Sequence, residues 1–263
     1  MIAIRDQVYS LKSGIPLVYD FFRPKVEEAV PLVALIHGGG WISGDKTHLR
    51  DEAIWLASNG FAAACMDYRL APLHPYPAAV QDCQDFISYV RENAQELGID
   101  PKRIATMGSS AGGHLAAMTG LLDHHLGGGA DRAPCKVNVV IDLCGLTDLT
   151  QPREQHFPVA WSFIEEFMSS PYEGHEAQWR EASPIHHVSA SDATFLIFHG
   201  EADEVVPISQ SERLHEALRK VGVSSEFIRL PGEGHGFSEA GWAIVRERYV
   251  PFLKEKFELK VGA

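Results

Sequence analysis

The 263-residue chain carries 23 basic and 35 acidic side chains, a formal net charge of −12, and 45% of its residues are hydrophobic. That composition excludes a disordered chain and a disulfide-built miniprotein, and it fits one globular domain over 1–263 with a sizeable core. An acidic balance without any basic run argues against nucleic acid as a partner, and no apolar stretch approaches the roughly 18 residues of a membrane span.

In chain order, Ile4–Lys12 and Ile15–Phe22 flank Ser13-Gly14 and predict a hairpin. Pro31–Ile36 is a buried strand that runs into His37-Gly38-Gly39-Gly40-Trp41. A helix is expected near Lys46–Ser58, then a strand over Phe61–Met66. Pro77 opens a helix whose apolar face is Val80, Cys83, Ile87, Val90, Ala94 and Leu97, closed by Gly98. Arg103–Met107 is a short strand followed at once by a helix over Ala111–Leu122. Val137–Leu143 and Thr194–Phe198 lack alternation, as strands do when both faces are covered. Ser209-x-x-Glu212 reads as a capping box for a helix with the stripe Leu214, Ala217, Leu218 and Val221. Ser225–Leu230 is the last strand and Trp242–Phe257 the closing helix.

Strand–helix alternation of this kind predicts an α/β fold, a mostly parallel sheet with helices on both faces. One stretch breaks the rhythm: about 146–191 holds Pro152, Pro158, Pro171 and Pro184 among several aromatics. Its two readings are a lid or small cap insertion that shapes the substrate site, and a helix, Val159–Met168, packed on the sheet edge. Four cysteines (Cys65, Cys83, Cys135, Cys144) without CxxC spacing read as reduced, buried thiols. With an N-terminus that lacks the order of a signal peptide, they predict a cytoplasmic protein. The closing helix or an edge strand offers a surface for a homodimer.

Gly108-Ser109-Ser110-Ala111-Gly112 is a G-x-S-x-G between a strand and a helix. The two glycines frame Ser110 rather than Ser109; otherwise the motif is an ordinary Gly/Ser turn. A serine hydroxyl needs a base, and the base needs a carboxylate to orient it. Asp203 follows the strand Thr194–Phe198, and His235 follows the last strand, so both sit in loops at strand C-terminal ends. Glu201 and Glu204 are the rival carboxylates and read as solvated charges; His199 and His37 are the rival histidines, the first satisfying a backbone partner and the second propping the glycine loop. That loop holds the strand-end position of an oxyanion hole, with donors from Gly39, Gly40 and Ala111. Thirteen histidines invite a metal reading, but His124-His125 and His186-His187 fit no ligand frame, and no metal is expected. Trp41, Phe157 and Trp161, with Phe163 and Phe167, are candidates to line a pocket, each with a place in the core as its alternative.

HGGGW, DYRLAP (Asp67–Pro72), GSSAGG, the HGxxD run and the GHGF run follow one another as in the α/β-hydrolase superfamily. The chain resembles its hormone-sensitive-lipase-like esterases and, more so, the bacterial acetyl-xylan and feruloyl esterase group. Three departures point to the second group: Ser109 stands where the first usually has an acidic residue or Thr, Ala71-Pro72-Leu73-His74-Pro75 lacks its glutamate, and only 36 residues precede His37. The resemblance implies Ser110 as nucleophile, His235 as base, Asp203 as its partner and a cofactor-free carboxylesterase acting on small to medium acetyl, short acyl or feruloyl esters. The alternatives are an amidase of the kynurenine formamidase type and a non-catalytic ligand-binding relative.

Overall fold

Residues 1–12, 14–128 and 132–259 are described by the computed structural model. The first strands, β1 (Ile2–Lys12) and β2 (Ile15–Arg23), pair antiparallel as the expected hairpin. Gly14 adopts φ +80° in its turn, while Ser13 lies outside the described residues. Then come β3 (Val30–Ile36), β4 (Ala62–Met66), β5 (Ile99–Ser109), β6 (Val139–Leu143), β7 (Thr194–Gly200) and β8 (Ser225–Leu230). All eight join one sheet in the order β1-β2-β4-β3-β5-β6-β7-β8. From β4 to β8 every neighbouring pair is parallel.

Every residue of β3, β4 and β6 is buried, because helices cover both faces. Alternate side chains of β3 divide between two cores. Leu32, Ala34 and Ile36 face the layer of α2 (Ala78–Glu92), α4 (Ala111–Leu121) and α7 (Ser209–Lys220). Val33 and Leu35 face α1 (Arg50–Ser58) and α8 (Glu239–Lys256). This is the expected α/β architecture.

Local details depart from the sequence patterns. The first turn of the helix expected from Lys46 is a 3₁₀ turn, Lys46–Leu49, capped by Asp45, whose side chain accepts the Thr47 N–H. The helix predicted from Pro77 to Leu97 divides at Asn93 into α2 and a short α3 (Ala94–Leu97). Both the backbone and the side-chain amide of Asn93 donate to Tyr89 O, at 3.0 and 2.8 Å, so a side chain competes for the helical acceptor. The buried face survives the break, since Ala94 and Leu97 remain buried. The capping box at Ser209 does not form. Helical backbone already begins at Ile208, which precedes α7 without a side-chain cap bond. Glu212 is drawn instead into an ion pair with Arg229 at 2.6 Å. Val221 of the predicted stripe is exposed, because the chain turns away at Gly222, φ +85°.

Between β6 and β7 the chain builds α5 (Pro158–Met168), α6 (Glu176–Glu181) and 3₁₀ turns at Arg153–Gln155 and Pro184–His187. Ala160, Ile164, Phe167 and Met168 bury one face of α5 in the core. Pro158 occupies its first turn, where a missing N–H costs no bond. All four cysteines are free and buried, and among the described residues no helix is long and apolar enough to cross a membrane.

Candidate active site

The sheet ends abruptly at Ser109, and α4 starts at Ala111. Ser110 alone makes the junction, at φ 58° and ψ −118°. A side chain rarely adopts that backbone, which costs about 1–3 kcal/mol. The glycines of the motif have a steric reason. A Cβ on Gly108 would strike the carbonyl of Gly112, and one on Gly112 would strike the carbonyls of Ile36 and His37. The turn is held by Ser110 N–H donating to Leu143 O (2.8 Å) and His114 N–H donating to Ser110 O (3.0 Å). Ser110 thus stands at the positive end of α4.

Asp203 is delivered by a tight turn after β7, with Asp203 N–H donating to Gly200 O at 3.2 Å. Its Oδ1 accepts the amides of Val205 and Val206, each at 2.8 Å. Its Oδ2 accepts Nδ1–H of His235 at 2.8 Å. Burial pushes the Asp203 carboxyl up, but the bonds from His199, His235 and the Val206 amide outweigh it and hold the carboxyl well below the usual carboxylate range. Glu201 and Glu204 are exposed, as expected of solvated charges. The loops carrying Asp203 and His235 are laced together by Ala202 N–H donating to Glu233 O at 2.9 Å. Ser110 and His235 line one cleft of 460 Å³.

The glycine loop forms the facing wall, with Gly38, Gly39 and Gly40 on the same cleft. Gly39 (φ +107°) and Gly40 (φ +60°) adopt left-handed backbone that glycine tolerates. The amide of Ala111, as the first residue of α4, has no partner within the helix. Gly39 and Gly40 line the same cleft as Ser110, the residue that precedes Ala111. The loop is braced from behind. His37 donates Nδ1–H to Gly38 O at 2.8 Å and stacks on Tyr68 at 4.2 Å. Burial pulls the His37 pKa down to about 4, so the ring is neutral near pH 7. Tyr68 Oη donates to His37 O at 3.0 Å, and Ala71 N–H donates to Trp41 O at 2.9 Å. Arg69 is clamped on both oxygens of buried Asp82, Nη2–H donating to Oδ1 and Nε–H to Oδ2. The DYRLAP segment is therefore scaffolding for the loop.

The aromatic expectations need correction. Trp41 is fully buried and faces away from the cleft, stacked on Phe167 at 4.4 Å with its Nε1–H donated to His114 Nδ1 at 3.1 Å. The loop's backbone turn at Trp41, φ 61°, sends the indole inward. Phe157 precedes α5, is 37% exposed and is absent from the cleft wall. Trp161 lines a different cavity of 580 Å³ with Tyr172 and Trp179, on another side of α5. Of the aromatics weighed, Phe163 lines the cleft, its ring against Gly40, and Val159 one turn earlier does so too. Leu49, Val205 and Trp242 complete the apolar wall. No motif marks these residues; the preceding turns and helix ends bring them there.

His199 holds Val206 O at 2.9 Å as expected, but it also lies 3.2 Å from Asp203 Oδ2. Its place four residues before Asp203 in the HGxxD run was the available signal. His124 lies beside Asp123 and His186 beside Asp148, but among the described residues neither histidine pair belongs to a group of three possible ligands. Among the described residues, Cys144, Asp203 and His235 bring theirs within 4.8 Å of one another. Burial first, and then the Asp203 charge, push the Cys144 thiol well above its ordinary value, so it is a neutral neighbour of the carboxylate.

Residues 19–218 match the model of the BD-FAE family. The chain is similar to the esterase LipC of Mycobacterium tuberculosis, 33% identical over 79% of this chain and 53% of LipC. It is also similar to a probable isoprenylcysteine alpha-carbonyl methylesterase of Arabidopsis thaliana, 30% identical over 82% of this chain and 48% of that protein. The chain spans about half the length of these curated relatives. Among solved structures it resembles an esterase of Thermogutta terrifontis, Est2, with butyrate bound: TM-score 0.84, 27% identity, 98% of this chain and 96% of that chain. The same esterase phosphonylated by sarin gives TM-score 0.86 at 26% identity over the same shares.

Proposed function

The chain belongs to the BD-FAE family, and on that premise we propose that it is a serine carboxylesterase with Ser110 as nucleophile, His235 as general base and Asp203 as its partner. Ser110 Oγ attacks the ester carbonyl carbon while His235 Nε2 takes the hydroxyl proton. Asp203 holds the ring by Nδ1–H and stabilises the imidazolium that forms. The N–H groups of Gly39, Gly40 and Ala111 receive the negative oxygen of the tetrahedral intermediate. The C–O bond of the leaving alcohol breaks, and His235 returns the proton to it. A water deprotonated by His235 then attacks the acyl carbon, and Ser110 Oγ leaves with that proton. The observation that carries this reading is the 2.8 Å bond from His235 to Asp203 opening on the same cleft as the strained Ser110 turn.

Apolar walls from Leu49, Val159, Phe163, Val205 and Trp242 around 460 Å³ suit small to medium acyl or aryl groups. Butyrate and propionate bound to Est2 point the same way, and acetyl, short acyl and feruloyl esters are the substrates to try. The 146–191 segment acts as a small cap, with α5 presenting Val159 and Phe163 to the substrate. Four buried free thiols fit a reducing compartment, the cytoplasm.

The test is steady-state hydrolysis of p-nitrophenyl acetate, butyrate and laurate, methyl ferulate, acetylated xylan and N-formylkynurenine by wild type and Ser110→Ala. Ester turnover that vanishes in Ser110→Ala supports the assignment. Turnover that survives removes Ser110 as nucleophile, and faster hydrolysis of N-formylkynurenine than of the esters turns the reading to an amidase.

A further inference from the structure

Asp203 Oδ1 is saturated by two backbone amides, which leaves Oδ2 as the oxygen that speaks to the base. That oxygen has two imidazole neighbours. His235 Nδ1 lies at 2.8 Å and His199 Nε2 at 3.2 Å. The tautomer of His199 follows from its surroundings. Its Nε2 faces only acceptors, Val206 O at 2.9 Å and Asp203 Oδ2, so Nε2 carries the hydrogen. Its Nδ1 then accepts from Ser211 Oγ at 2.7 Å. His199 and Ser211 are both fully buried, so neither has water to fall back on.

We propose that His199 is a positioning residue for the reaction: its Nε2–H is a second donor to Asp203 Oδ2, and Ser211 on α7 locks the ring that gives it. This rests on the triad reading above. The consequence is electrostatic. A carboxylate beside a histidine favours the protonated ring. A second N–H on the same oxygen draws off part of that charge, so the carboxylate holds a proton on its imidazole partner less strongly than an unshared carboxylate would. The bond also fixes the carboxylate plane that orients His235. The other titratable groups around this cluster are Asp142 and Cys144 at the end of β6 and Glu204 beside Gly234. None of them donates to Oδ2, so His199 is the residue to test.

The experiment measures kcat and KM for p-nitrophenyl butyrate across pH in wild type, His199→Phe, His199→Gln and Ser211→Ala, with Ser110→Ala as the blank. The downfield proton resonance of His235 Nδ1–H and the melting temperature are recorded in parallel. Gln places an N–H close to that of Nε2, whereas Phe fills the space and donates nothing. In His199→Phe, kcat/KM should fall about ten- to a hundred-fold, the loss of one bond to a charged group, mostly in kcat. The acid limb should move up by about one pH unit, and the His235 resonance should move downfield. His199→Gln should restore the wild-type limb and most of the rate. Ser211→Ala should shift the limb the same way by less.

Equal losses in the Phe and Gln variants with unmoved limb and resonance would reduce His199 to a core residue and overturn the proposal. If His199→Phe does not fold, an unshifted limb and resonance in folded Ser211→Ala overturn it as well. A wild type with no turnover sensitive to Ser110→Ala sinks the esterase reading itself; the resonance, which needs no substrate, still decides whether His199 shares Oδ2.

Discussion

Replacing Ser110 by glycine and by alanine isolates the strain at the nucleophile. Both variants lose the hydroxyl, so its own interactions cancel between them. The backbone, at φ 58° and ψ −118°, is costly for any residue with a Cβ, by about 1–3 kcal/mol. Alanine retains that cost and glycine relieves it. Against this, glycine has more freedom to lose on folding, worth roughly 0.5–1 kcal/mol. The balance leaves Ser110→Gly more stable than Ser110→Ala by about 1 kcal/mol. Unfolding entropy near 2.1 cal/mol/K per residue makes that close to ~2 °C in Tm for a chain of 263 residues. Urea unfolding followed by tryptophan fluorescence reads the difference as a shift in midpoint at constant slope. An alanine variant equal to or more stable than the glycine variant would refute the claim that the turn stores strain. Neither variant should hydrolyse esters, so the site trades stability for the exposure of one oxygen.

Three further outcomes follow from buried geometry. Asp142 is fully buried, with Oδ2 lacking a partner, and burial pushes its carboxyl up to about 6. Its native value exceeds its unfolded one, so native protein holds the extra proton and stability falls as pH rises from about 4 to about 6. Asp142→Asn should erase that slope and raise stability at pH 7 by up to about 3 kcal/mol, read by urea titration at several pH values. Gly112→Ala drives a Cβ into the carbonyls of Ile36 and His37 and should cost about 1–3 kcal/mol, with kcat falling as Ser110 separates from the glycine loop. Phe163→Ala widens the cleft and should raise the ratio of octanoate to acetate kcat/KM by roughly ten-fold, whereas Trp161→Ala, which lines the other cavity, should leave the ratio unchanged.

Asp203 and His235 also illustrate how far a linear motif carries. Their separation of 32 residues says nothing of distance, but strand ends in a parallel sheet are collected on one side, so loops after β7 and β8 must meet there. That rule, with the glycines around Ser110, made the triad candidates readable. It says nothing of His199, because sharing one carboxylate oxygen depends on ångström-scale packing between β7 and α7.

The amino-acid sequence by itself determined the alternation of strands and helices, the two-sided burial of β3, β4 and β6, and the positions of Ser110, Asp203 and His235 at strand ends. Each of these is a local pattern, a run of apolar residues or a glycine whose missing Cβ opens a turn. Only the tertiary structure decided which aromatics line the cleft. Trp41 adjoins the glycine loop in sequence yet points inward, while Phe163 and Trp242 come from remote helices to form the wall. Direction at a turn is set by one pair of backbone angles and by what the neighbouring helices leave unfilled, and neither is written in the order of the residues.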